Sequence, residues 1–120
     1  MATTVQIGGK DVRLEAPRSY TVRTDIILLE RRNRLRAILA ALGVCWRGGT
    51  RPKVQYDQCG YDPAVYGGAV LDELVERGIA PSEAFAAGTE AMRLLADGWF
   101  WESDLKAAEG NSDGEEAETG

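Results

Sequence analysis

The chain has 120 residues, 44% hydrophobic and 28% charged, with a net charge of −5, which is the size and balance of one globular domain. It contains no histidine, so the commonest general base is missing, and with it the serine and cysteine triads and most catalytic zinc sites that depend on imidazole. No apolar run approaches the roughly 18 residues of a membrane span, and the amino end MATTVQIGGK lacks the basic and apolar regions of a secretory signal, so a cytoplasmic protein without membrane contact is expected.

The chain opens with TTVQIGGKDVRLE, in which Val5 and Ile7, then Val12 and Leu14, lie two apart on either side of Gly8, Gly9 and Lys10. That alternation predicts a β-hairpin over 3–15. A two-stranded hairpin is marginal alone, so this one must lie on helices or on a neighbour's sheet edge. The segment SYTVRTDIILLERRNRLRAILAALG then predicts helix over about 19–43, with Ser19, Thr21 and Thr24 as candidate caps and Gly43 as the stop. Asn33 interrupts it and is suited to cap a second piece, so one helix and two remain open. Leu28, Leu35 and Leu42 recur at sevens, with Ile38 and Leu39 between them, as one apolar stripe.

Beyond a long connection, Asp62 as N-cap and Pro63 at the first helical position predict a helix over 63–77, stopped at Gly78, with Val65, Tyr66, Val70, Leu71, Leu74 and Val75 on its apolar face. Gly67 and Gly68 inside that helix predict a close backbone neighbour. A further helix is expected over 81–97 through Phe85, Gly88, Met92 and Leu95, ended by Gly98, and a short last one over 99–108. The polar stretch 109–120 reads as a disordered acidic tail, because it has nothing to bury against the entropy of ordering. The fold class expected is mainly helical α+β: one domain over 1–108, with a short amino-terminal hairpin and four to five helices in a small bundle.

The connection ALGVCWRGGTRPKVQYDQCGYD holds both cysteines, fourteen positions apart, with no CxxC pairing and no further ligands nearby. Cys45 and Cys59 therefore read as free thiols rather than as a metal site, and a bridge between them would require an oxidising compartment. IGGK and WRGGTRPK match neither of the glycine-rich phosphate loops. Asp72 and Glu76 share a helix face, but it is the solvated one. No catalytic residue, cofactor or metal ligand is predicted, and the chain is not expected to be an enzyme.

Charge divides along the chain. Residues 1–53 hold 11 Lys or Arg against 4 Asp or Glu, and residues 54–120 hold 3 against 15, so the amino half is basic and the carboxyl half acidic. The halves attract, either within one molecule or head to tail between copies, which allows a homo-oligomer. Arg31, Arg32, Arg34, Arg36, Arg47, Arg51 and Lys53, with Trp46 and Tyr56 among them, keep a nucleic-acid-binding or regulatory protein as the alternative. Against it, the two helices over 63–97 have a helix-turn-helix outline whose second helix offers Ser82, Glu83, Thr89 and Glu90 with only Arg93 basic, a face that phosphate repels. Trp99, Phe100 and Trp101 cannot all turn to one core, so at least one is expected to anchor a partner. The candidate protein-contact residues are Trp46, Arg47, Arg51, Tyr56, Trp99, Phe100 and Trp101.

The order of a small hairpin (TVQIGGKDVRLE), arginine-rich amphipathic helix (LLERRNRLRAILAALG), helical carboxyl half and acidic end resembles the small tail-morphogenesis proteins of long-tailed bacteriophages, the tail assembly chaperones above all. The resemblance covers the architecture of 1–120 and carries no sharp motif. It implies a non-catalytic protein that binds tape-measure or tail-tube subunits during tail building and is absent from the finished particle.

Overall fold

The computed structural model describes residues 2–97. Gly8 and Gly9 take φ of 62° and 78°, the positive values that a two-residue hairpin turn demands. They fold β1 (Ala2–Ile7) against β2 (Lys10–Glu15), antiparallel, with Val5 opposite Val12 and Thr3 opposite Leu14. The hairpin is not left two-stranded. A short β3 (Trp46–Arg47) pairs with β2, Leu14 opposite Trp46, so the order is β1-β2-β3. The hairpin tip is fixed to the helices. The Gly8 amide donates to the Glu83 carboxylate at 2.8 Å, and Ile79 lies beneath the same glycine.

Between β2 and β3 the chain forms two helices rather than one. Ser19 caps α1 (Tyr20–Glu30) by accepting from the Val22 amide, and Asn33 caps α2 (Arg34–Cys45) by accepting from the Arg36 amide. The break destroys the stripe of leucines at sevens. It resets the helical phase, so Leu35 in the first turn of α2 is 56% exposed while Ala37 to Gly43 are buried. Gly43 does not end the helix, which continues to Cys45. Its missing side chain makes room for a ring: a Cβ there would lie 2.5 Å from the Tyr66 hydroxyl.

Asp62 accepts the Ala64 and Val65 amides at the start of α3 (Pro63–Glu76), and Gly78 ends it with φ of 84° while the Ile79 amide returns to the Leu74 carbonyl. The buried face of α3 is narrower than its apolar pattern predicts: Tyr66, Gly67, Val70 and Leu74 are covered, while Val65 and Val75 are about half exposed. Helix α4 (Pro81–Ala96) follows. Helix α2 is the spine. Gly67 of α3 meets the Arg36 carbonyl and Gly88 of α4 the Ile38 carbonyl, the close backbone approach expected at Gly67. The neighbour of Gly68 is instead the tip of the Arg36 side chain, at 3.7 Å. The described chain is thus a small α+β fold, a three-stranded antiparallel sheet and four α-helices around one core. Trp46, Tyr66, Leu14, Ile26 and Leu42 are among its largest buried side chains. The expected helix 99–108 and tail 109–120 lie outside the described residues.

Candidate functional site

The sequence between α2 and α3 that is richest in aromatic and basic groups builds an open cleft of about 820 Å³. Its apolar lining comes from Pro17, Val22, Val44 and Pro52; its polar lining from Arg51, Lys53, Gln55 and Tyr56. Three tyrosines line or flank it edge to face, Tyr56 to Tyr66 with centroids 5.4 Å apart and Tyr56 to Tyr61 at 5.8 Å. Gly60, in αL at φ of 66°, caps the single turn Asp57–Cys59, and Tyr61 after it is 66% exposed and holds φ of 56°.

Two carboxyl-half side chains hold this loop in place. Glu73 accepts the Lys53 amide at 2.7 Å and the Val54 amide at 3.1 Å, and pairs with Arg77 one helical turn on. Arg77 in turn donates to the Thr50 carbonyl at 2.6 Å and to the Arg51 carbonyl at 3.2 Å, with its guanidinium 5.9 Å above the Trp46 ring. Loop carbonyls and amides that water would otherwise satisfy are therefore taken up by one i,i+4 pair. Burial raises the Glu73 pKa, but the two amides and Arg77 outweigh it and hold the carboxyl below the usual carboxylate range.

The expected contact residues separate. Trp46 is 1% exposed and belongs to the core, its indole N–H donating to the Thr50 hydroxyl at 3.1 Å. Pairing of β3 with β2 turns that ring inward, so it is not a contact residue of the free surface. Arg47 is half-buried and donates to the Val44 carbonyl at 2.8 Å. Arg51 and Tyr56 lie together in the cleft, where Tyr56 donates to Asp25 at 3.4 Å. Trp99, Phe100 and Trp101 lie outside the described residues. The sequence reading missed Val22, Val44 and Gln55 as lining and Glu73 with Arg77 as the clasp. Only the i,i+4 spacing of that pair was visible.

Burial pushes the Cys45 thiol up to about 12 against the opposing charges of Arg47 and Arg23, and its sulfur faces the Ala91 carbonyl. Burial, then the charge and hydrogen bond of Asp25, hold the Tyr56 hydroxyl well above the ordinary phenol range. Burial also raises Tyr66, with Arg51 partly opposing it. Each of these shifts, like that of Glu73, moves its group away from neutral pH, the reverse of what a general acid, base or thiolate nucleophile requires. Both cysteines are free, and among the described residues no cluster of His, Cys, Asp or Glu suited to a metal ion occurs. No described helix is long and apolar enough to cross a membrane. Neither family models, curated proteins nor solved structures give a match to the chain.

Proposed function

We propose that the chain is a non-catalytic protein-binding factor whose cleft receives an extended segment of a partner protein. The observation that carries this is the composition of the cleft: an apolar floor from Val22, Val44 and Pro52 beside the Arg51 guanidinium and the Tyr56 ring. A floor of that kind takes one or two apolar side chains, and Arg51 with Lys53 adds a preference for a carboxylate beside them. The partner class is the one that the architectural resemblance implies, tape-measure or tail-tube subunits met in the host cytoplasm during tail assembly. Trp99, Phe100 and Trp101 are proposed as a second contact.

The test is co-expression with the tail-tube and tape-measure subunits of the same genome, followed by co-purification and titration. Arg51→Ala with Tyr56→Ala is expected to weaken the complex roughly tenfold or more, since each truncation at a contact of this type costs about 1–2 kcal/mol. The circular dichroism spectrum should stay unchanged. Absence of any complex with either subunit would remove the tail-assembly reading, and an unaffected double variant would move the contact away from the cleft.

A further inference from the structure

The strand order makes β1 an outer strand of the sheet, and among the described residues nothing pairs with its outer side. In an antiparallel ladder, alternate residues of such a strand point their N–H and C=O groups away from the sheet. Proteins normally blunt an edge of this length with a charge, a proline or a bulge. Strand β1, ATTVQI, carries none of them, and its register with β2 runs unbroken from Ala2 to Ile7. The charges sit on the other strand. β2 is KDVRLE, four charged residues in six, although it is paired along its whole length with β1 and at Arg13 and Leu14 with β3. The opposite edge, β3, is only two residues long and runs into Gly48 and Gly49.

We infer that β1 is a self-pairing edge, joining β1 of a second copy antiparallel across a two-fold axis so that one sheet runs through both molecules. A second copy fits because a two-fold axis brings the residues at the middle of the strand next to their own duplicates, where a charge would repel itself, and Thr3, Thr4 and Val5 carry none. Thr, Val and Ile favour strand pairing, and the outward residues Ala2, Thr4 and Gln6 are neutral. The flank is self-complementary as well. A groove of about 470 Å³ beside Ala2 and Thr3 is lined by Glu90 and Arg93, themselves paired at 2.7 Å, so a rotated copy presents both signs in reverse order. Thr3 and Val5, partly buried on the helix side, continue the inner layer across the axis. This inference does not depend on the cleft or its partner.

Sedimentation equilibrium of the full chain, from micromolar to submillimolar concentration, should give a mass approaching twice 13.0 kDa. Thr4→Lys and Thr4→Glu should each be monomeric with an unchanged circular dichroism spectrum. With the axis at Thr3, Thr4 or Val5, residue 4 faces its own copy or lies diagonal to it, within reach of a charge. An equimolar mixture of the two variants should therefore recover the dimer, whereas Thr4→Val should dimerise like the wild type. A wild type that stays monomeric throughout overturns the inference. So do single charge variants that dimerise undiminished, and so does a mixture that fails to recover.

Discussion

A methyl group at Gly67 has nowhere to go, because the carbonyl it would strike belongs to the backbone of α2 and cannot swing aside. Gly67→Ala is therefore expected to destabilise the fold by about 1–3 kcal/mol, read from the urea midpoint. One residue on, the methyl of Gly68→Ala meets only the flexible end of Arg36 at an ordinary 3.7 Å. There the helix gains propensity without a clash, and the same measurement should show stabilisation of up to about 1 kcal/mol. Trp46 and Tyr56 form a second contrasting pair. Trp46→Ala empties a fully covered core position and should cost about 3–5 kcal/mol, enough to unfold a marginal domain. Tyr56→Ala, at the half-buried cleft wall, should chiefly affect binding. Sequence alone ranks these two aromatics together, because both sit among arginines and glycines and neither lies in a periodic run that would reveal an inward face.

The elements that sequence makes legible are those with local signals: Gly8-Gly9 between alternating runs, Ser19, Asn33 and Asp62 as caps, Gly78 as a stop. Strand β3 is illegible for the opposite reason, since two residues have no periodicity and their pairing partner is more than thirty positions away. The 48–57 loop is fixed from α3, by Glu73 and Arg77, and its order should follow their ionisation. Because the folded Glu73 pKa is lowered, its contribution is present above the ordinary carboxylate value and is lost as pH falls through the folded one. Amide protection at Lys53 and Val54 is expected to collapse across that acidic window. At neutral pH, Glu73→Gln should speed tryptic cleavage after Lys53 several-fold, since Gln keeps an acceptor oxygen but loses the charge that makes these bonds stronger than neutral ones. At the alkaline end the sign reverses. Cys45, Tyr56 and Tyr66 have raised values, so their contribution is complete below their ordinary pKa values and is lost as pH rises through the folded ones. Thermal stability should therefore begin to fall above the ordinary thiol value of 9.0, and Cys45→Ala should soften that fall.

At the scale of the molecule, the four ion pairs seen among the described residues each stay within one half of the chain. The pairs Arg13–Glu15, Arg34–Glu30, Arg77–Glu73 and Arg93–Glu90 join near neighbours in the chain. Contacts between distant parts run instead from charged side chains to backbone: Glu83 to the Gly8 amide, Arg23 to the Leu95 and Asp97 carbonyls, Arg77 to Thr50 and Arg51. Composition gives the sign of each half but not these partners. The basic run from Arg31 to Arg36 is similarly reduced as a phosphate surface, because Arg34 pairs with Glu30 and Arg36 reaches the Ala64 carbonyl. The chain is expected to elute from immobilised DNA or RNA at moderate salt. Retention there, weakening steeply as salt rises, would favour the nucleic-acid alternative.

The contact of Arg77 with both loop and ring makes the protein its own optical gauge. Trp46 is wedged between the Thr50 hydroxyl and a cation held in place by the same bonds that anchor the cleft loop. Any occupant that lifts residues 50–54 must alter the polarity around that indole. With Trp99→Phe and Trp101→Phe, Trp46 is the one remaining tryptophan of the three. A shift in its emission would then report filling of the cleft without a label, in a buried ring that touches no ligand.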